Sequence, residues 1–534
     1  MPACIEYRPS SIEKEIFEGD LEEQKEKLKT SAQMKAYREY REKYKNSPWN
    51  PDFHYYSPDG IINDPNGLCF WKGRYHIFYQ AFPPKENPDY SAHRVHWGHA
   101  VSTDLVHWKD LPLALYPDLE YACYSGATLV EEDRVVAIYH GRWKGTMIAY
   151  AKDPLLLNWE KEPKNPVIPL LPDAATNGGR PYGLFDPYLW KDETGYYSLS
   201  GCLYGDQEKR GVDPKNIMVE QMFTSKDLKD WTYIGELAPG GFPQIPAGND
   251  GACPYFVPFG DGYALFNFSH LDGAYLTLGG FDKTTHRFYP ERSMRFNHGP
   301  RACSSYQAPC AMSDGNGGAY VIFNTKDAKK VPPRNGAFSL MYHMTPGVSG
   351  KVRIDPAEAV DSLHEKETQI GELSLKPSTE EVLPARGNKL DIQMRVDLKK
   401  ARALRLRVLR SDDLAEYTDI NIYMSVGAKI PHNAVTIDTL VSSLCPDVRG
   451  RVPETAYFDA DEDGTMDLRV VIDKCMIEVF ANHQNVVMQM VYPSKADSDG
   501  ISLTAMGSEV QISDLKIWTM GSIYDSSREG EQQI

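Results

Sequence analysis

The sequence predicts an all-β protein, a β-propeller followed by a β-sandwich, with a helical arm in front. Three observations predict it. From about residue 52 to 355, short apolar-aromatic runs are separated by Gly, Pro, Asn and Asp turns, the texture of many short strands. Within that stretch a weak repeat recurs. Ser102-Thr103-Asp104-Leu105-Val106-His107-Trp108 is echoed by Ser225-Lys226-Asp227-Leu228-Lys229-Asp230-Trp231, and more loosely by Asp153-Pro154-Leu155-Leu156-Leu157-Asn158-Trp159. Such units at intervals of tens of residues suggest propeller blades. Beyond about residue 373, runs such as Ala403-Leu404-Arg405-Leu406-Arg407-Val408 alternate with period two, as in a sandwich of antiparallel sheets.

Taken in order, residues 1–48 are the arm. They are charged and helix-forming, with sparse apolar positions, and Pro48 and Pro51 end them. Either this is a solvated helix, or its few apolar residues dock on the main domain or on a second subunit, which would make the protein a homo-oligomer. Residues 49–355 are the propeller, 356–372 a polar linker, 373–521 the sandwich, and 522–534 a polar tail expected to be disordered.

Composition narrows the function. Hydrophobic residues make up 41% and charged residues 25%, as in an ordinary globular protein. Aromatics at 11%, with 32 Tyr and 9 Trp, suit β-structure and sugar-stacking surfaces. A net charge of −16 argues against nucleic acid and anionic membrane as partners. No apolar run approaches the roughly 18 residues of a membrane helix. Met1-Pro2-Ala3-Cys4-Ile5-Glu6-Tyr7-Arg8 contains no apolar signal core. Nine Cys with no paired spacing and no zinc pattern read as free thiols, so a cytoplasmic location is expected.

The chain is organised around Ile61-Ile62-Asn63-Asp64-Pro65-Asn66-Gly67. Pro65 sets its own φ and restricts Asp64, while Gly67 lets the backbone turn where a side chain would collide. A strand-like run, Arg74 to Gln80, follows. The stretch reads as a carboxylate presented at the mouth of a β-structure. By composition alone it also reads as an ordinary surface turn.

What surrounds it decides. Asn63-Asp64-Pro65-Asn66-Gly67, Tyr79-Gln80, Trp97-Gly98-His99-Ala100-Val101-Ser102 and Tyr124-Ser125-Gly126 resemble, in order, the motifs of glycoside hydrolase family 32, the invertases, levanases, inulinases and fructosyltransferases. Phe185-Asp186-Pro187 and Ala252-Cys253-Pro254 stand where that family has Arg-Asp-Pro and Glu-Cys. Ile477-Glu478-Val479-Phe480-Ala481-Asn482 resembles a segment of its C-terminal sandwich. The resemblance spans roughly 50 to 520. It implies a five-bladed propeller, retaining hydrolysis or transfer of β-fructofuranosyl groups, a carbohydrate substrate, and no metal or organic cofactor. A retaining glycosidase needs a carboxylate nucleophile and a carboxylic acid ~5–5.5 Å apart. Asp64 matches the nucleophile, and Asp186 the carboxylate that steadies the oxocarbenium-like transition state. Asn63, Gln80 and Trp97 would line the sugar pocket, or else be satisfied strand or core residues. Ser125 is a weaker candidate of the same kind.

The acid is missing, because the family's Glu is Ala252 and a methyl group gives no proton. General acid catalysis is commonly worth about 10²–10⁴-fold. One engineered change would explain Ala252 alone. Three further departures favour natural divergence: Phe185 replaces the Arg, Ile61 the aromatic before the turn, and Phe82 an Asn. They make the pocket more apolar and remove a guanidinium. Asp250 and Glu220 are conceivable replacement acids. Asp250 lies two residues before Ala252, on the same side if the segment is a strand. Glu220 sits in an apolar run where burial would raise its pKa. His140 and Arg142 are candidate contacts on the funnel rim. Two readings follow: a furanoside-acting glycosidase or transferase with a modified acid, and a carbohydrate-binding protein that lost turnover. A structural subunit pairing through the arm is a third.

Overall fold

The computed structural model describes residues 9–88, 92–170, 184–204, 217–297, 306–331, 334–424 and 433–524. Five antiparallel sheets of four or five strands are followed by two of six. The five blades open with the strands Ile62–Trp71, Cys123–Val130, Phe185–Asp192, Ala252–Phe259 and Tyr306–Ser313. Each opening strand packs against the next, and the fifth closes on the first, so these five strands ring a central funnel.

The Asp-Leu-Trp repeat falls in the same place in three blades, after the third strand. Asp104 accepts from the backbone N–H of Val106 and His107, and Asp227 from those of Lys229 and Asp230. Asp153 does the same for Leu157 and Asn158. Three residues before each Trp, a buried Leu takes a left-handed backbone, with φ of 70° at Leu105, 52° at Leu156 and 68° at Leu228. The Trp159 and Trp231 indoles donate to the carbonyls of Leu156 and Leu228. The motif is a capped outer turn whose strain is held by burial.

The sandwich pairs its two sheets over a core of inward residues such as Ile392, Leu404, Ile420, Leu468 and Ile517. Two boundary readings change. The stretch 356–372 is not a free linker. Glu358–Leu363 forms a 3-10 turn anchored by buried Val360 and Leu363. His364–Leu375 is an edge strand paired with Val510–Met520. Its polarity is that of an edge strand with one face in water. The tail begins in order: Ile523 is buried, and the Tyr524 hydroxyl donates to the His54 carbonyl. Residues 525–534, like residues 1–8 of the arm, lie outside the described residues.

The arm is two helices, Leu21–Thr30 and Ala32–Tyr44. Asp20 and Glu23 form a capping box at the first, and Ser31 caps the second. Phe17, Leu28, Met34 and Tyr37 pack on Val101 and Leu111 of the first blade and Leu155 and Leu157 of the second. Arg41 pairs with Asp110 at 2.8 Å and lies over the rings of Tyr56 and Tyr524. The apolar side that suggested a second subunit is thus covered by the chain's own propeller. No described helix is long and apolar enough to cross a membrane.

Candidate active site

Each of the five inner strands breaks register near its start. The breaks fall between Ile62 and Pro65, Cys123 and Gly126, Phe185 and Pro187, Ala252 and Tyr255, and Tyr306 and Pro309. The residues inside them include Asp64, Ser125, Asp186, Cys253 and Gln307. A bulge re-aims side chains out of the pleat, and here five bulges aim at one funnel mouth. Asp186 and Cys253 both have a left-handed backbone, φ 49°, which is strained for non-glycine residues. The pocket they open on has a volume of about 430 Å³.

Asp64 is fixed from several sides. The Ser125 hydroxyl donates to its Oδ2 at 2.6 Å, and the Gln80 amide to the same oxygen at 3.0 Å. The Asn324 amide reaches Oδ1 at 3.5 Å. Asn63 donates to Gln80 Oε1 at 2.8 Å and accepts from the Lys326 ammonium. Behind the turn, Asn66 donates to the Asp64 carbonyl and accepts from Gly126 N–H. Gly67 has φ 57°, and a Cβ there would meet Thr128 Cγ2 at 2.6 Å, so the glycine is required. Burial raises the Asp64 pKa, helped by Asp186, against the Ser125 hydrogen bond and the charges of Lys326 and His270.

The Cys253 thiol lies between the two carboxylates, with Sγ 3.6 Å from Asp64 Oδ2 and 3.5 Å from Asp186 Oδ2. Burial and both negative charges push its pKa well up, so it stays a thiol that donates. His140 Nδ1 stands 3.8 Å from Asp186 Oδ1. Asp64, Asp186 and the Ala252 position therefore meet at one mouth, with Asn63, Gln80, Phe82 and His140 on the same wall.

Other candidates are placed elsewhere. Trp97 is not a stacking wall. It is wholly buried between Phe78 and Tyr139, and its indole donates to the Tyr124 carbonyl. Ser125 is buried behind Asp64 and does not line the pocket. Arg142 lies over Tyr121, Trp143 and the pocket-lining Tyr124 and does not itself line the pocket. Phe185 packs with Ala252, Cys253 and Phe268 beneath the pocket, so Phe82 and Ile61 are the apolar replacements that face it.

Neither proposed replacement acid faces the pocket. Asp250 precedes the strand rather than belonging to it, because Gly251 at φ 62° interrupts the alternation. Its buried carboxylate turns away to His270, accepting from the backbone N–H at 2.9 Å and meeting Nδ1 at 2.7 Å. Glu220 lies beside Gly201, which pairs on its other side with Phe185, and is 1% exposed. Neither Glu220 oxygen has a well-formed hydrogen bond, although the Asn267 amide is near enough to favour the charged form. Desolvation outweighs that amide and raises the pKa well above the ordinary Glu value. The folded state therefore keeps a proton that the unfolded state releases, and stability falls as pH rises above the usual Glu range. Glu220→Gln is expected to remove that slope, about 1.4 kcal/mol per pH unit at most. Urea unfolding at pH 5 and pH 8 checks this; an identical pH dependence in both proteins would refute it.

The residues missed in the sequence are His93, Tyr124, Phe268, His270, Gln307, Asn324, Lys326 and Asn335. Most carry no turn signature. Asn324 and Lys326 sit within the long strand Ala319–Val331, where alternation alone puts them on one face. Gln307 had a signal, since Tyr306-Gln307-Ala308-Pro309 is the fifth member of the bulge series.

Asp361, His364 and Asp391 also converge, closely enough to hold a cation. The Arg469 guanidinium already bridges Asp361 and Asp391, each at 2.6 Å.

Residues 54–328 match the model for the glycosyl hydrolases family 32 N-terminal domain, and residues 359–519 that for the family 32 C terminal. A rice (Oryza sativa subsp. indica) beta-fructofuranosidase, insoluble isoenzyme 1, is 26% identical over 88% of this chain and 90% of its own length. A sucrose-6-phosphate hydrolase of Klebsiella pneumoniae is 33% identical over 40% of this chain and 44% of its own. The structure of fructan 1-exohydrolase IIa from Cichorium intybus superposes with a TM-score of 0.76 and 19% identity, over 89% of this chain and 98% of that one. The fold is shared with that exohydrolase structure, and the chain belongs to glycosyl hydrolase family 32.

Proposed function

We propose that this protein is a glycosidase of the β-fructofuranosidase kind, acting on a fructofuranoside or related furanoside by a retaining mechanism with an altered acid. One observation carries the reading: a buried Asp64 whose carboxylate is oriented by Ser125, Gln80 and Asn324, with Asp186 linked to it through a single thiol. A surface for holding sugar alone has no use for a carboxylate fixed so closely. Asp64 attacks the anomeric carbon, and Asp186 stabilises the positive charge that develops there. The names of the relatives point to β-fructofuranosides, sucrose 6-phosphate and fructans as substrates to try.

The second reading, a carbohydrate-binding protein without turnover, is favoured by Ala252. Phe82, Phe268 and Ile61 on the pocket wall weaken recognition of an unmodified fructose. The test is a screen of sucrose, sucrose 6-phosphate, 1-kestose and p-nitrophenyl β-D-fructofuranoside, with product anomers followed by NMR. Turnover with retention is expected, and slow turnover of sucrose. Binding with no turnover of any of them would establish the second reading, and sucrose hydrolysis at ~10 s⁻¹ would refute the weak fructose recognition.

A further inference from the structure

We propose that His270 supplies the proton that the family's Glu would give, with Asp250 as its positioning residue. The proposal rests on the glycosidase reading above. His270 directly follows the strand Gly262–Ser269, whose Phe268 pairs with Ala252. The imidazole therefore stands two residues beyond the partner of the vacated acid position, and it lines the same pocket as Asp64 and Asp186.

Its ring is built in. Asp250, with no exposed surface, takes the backbone N–H at 2.9 Å and Nδ1 at 2.7 Å. Ser269 caps the turn through the backbone N–H of Leu271 and Asp272, and the Phe268 ring meets the imidazole edge-on at 4.9 Å. A carboxylate at Nδ1 requires a proton there, which leaves the Nε2 edge for the pocket. Among the described residues Nε2 has no hydrogen-bond partner. A carboxylate holding an imidazole at a reacting centre is an arrangement that orients a proton carrier. Here it sits where the family acid has been lost.

The step balances as follows. An Asp64 oxygen bonds to the anomeric carbon as the bond to the leaving oxygen breaks. The freed electron pair takes the proton from Nε2 of the doubly protonated ring, which becomes neutral. In the second step water attacks the same carbon, Asp64 leaves with its electron pair, and the water's proton passes to Nε2. The charged groups and imidazoles around the ring are Asp250 at Nδ1 and, lining the same pocket, Asp64, Asp186, His93, His140 and Lys326.

The test compares His270→Ala, His270→Gln and Asp250→Asn with wild type on 1-kestose and on p-nitrophenyl β-D-fructofuranoside. Nitrophenolate leaves without a proton. Loss of His270 is expected to cost about 10²–10⁴-fold on 1-kestose and less than about tenfold on the nitrophenyl substrate. The nitrophenyl rate also reports that each variant is folded. Asp250→Asn should lower kcat on 1-kestose with little change in KM and shift the pH–rate profile, whereas a merely structural loss would lower both substrates alike. Adding Ala252→Glu to His270→Ala should restore kestose turnover. Equal losses on both substrates, or none, would overturn the assignment of His270. Its failure is separable from that of the glycosidase reading. If wild type turns over and Asp64→Asn does not, while His270→Ala is unimpaired, only the His270 assignment falls. A wild type inert on both substrates refutes both.

Discussion

Asp64→Asn is expected to lower turnover by roughly 10⁴-fold or more while leaving sugar binding within a few-fold of wild type. The substitution is isosteric and keeps an acceptor oxygen for Ser125 and Gln80, whose donors lie 2.6 and 3.0 Å from the carboxylate. It removes the negative charge that must bond to the anomeric carbon. It also removes a charge the fold disfavours. Burial raises the Asp64 pKa, so the folded state holds its proton to higher pH than the unfolded state, and stability declines as pH rises between the two values. The Asn variant lacks that decline and should melt no lower than wild type at pH 7. Ser125→Ala acts oppositely on the titration. It deletes a hydrogen bond to the charged form, so the acidic limb of kcat/KM should move to higher pH. Steady-state rates, ligand titration and melting curves check the set, and Asp64→Asn with near-normal turnover would remove Asp64 from the mechanism.

Asp473→Ala is expected to destabilise the protein by about 3–5 kcal/mol, because it strips the partner from a buried cation. Asp473 ends the sandwich strand Thr465–Asp473, yet its carboxylate serves the start of the propeller. It accepts from the backbone N–H of Asp52, Phe53 and His54 at 2.7, 2.8 and 2.9 Å, and from His54 Nδ1 at 2.8 Å. Glu478 Oε1 stands 3.5 Å from His54 Nε2 and also accepts from Leu340 N–H. Burial alone would lower the His54 pKa, but hydrogen bonds and charge from Asp473 and Glu478 prevail and raise it to about 9. Burial likewise opposes ionisation of Asp473, and His54 with the backbone donors lowers its pKa nonetheless. The His54 contribution is thus full below its unfolded value of ~6.5 and is lost as pH rises through about 9. The Asp473 contribution is present above the ordinary carboxylate range and is lost as pH falls through its lowered value. Chemical denaturation from pH 4 to 10 should show this alkaline decline in wild type and a much weaker one in Asp473→Ala. A loss under 1 kcal/mol would mean that this cluster does not join the two domains.

What the sequence determined by itself is local. Strand texture, the capped Asp-Leu-Trp turns and the Asn63-Asp64-Pro65-Asn66-Gly67 turn are written within a few residues, because φ restriction, side-chain caps and period-two alternation act over that range. The absence of a carboxylate at Ala252 is legible in the same way, since Cys253 and Pro254 keep the register. The tertiary structure decided which side chains meet. Trp97 and Gln80 are paired on neighbouring strands, yet one fills the core and the other reaches Asp64. Asp250 looked like a pocket acid from its spacing, but one left-handed glycine ends the alternation and turns it onto His270. His270, Asn324 and Lys326 join Asp64 only because five sheets close into a ring and bring together residues separated by more than two hundred positions. Burial and convergence are properties of that closure, and no window of the chain contains it.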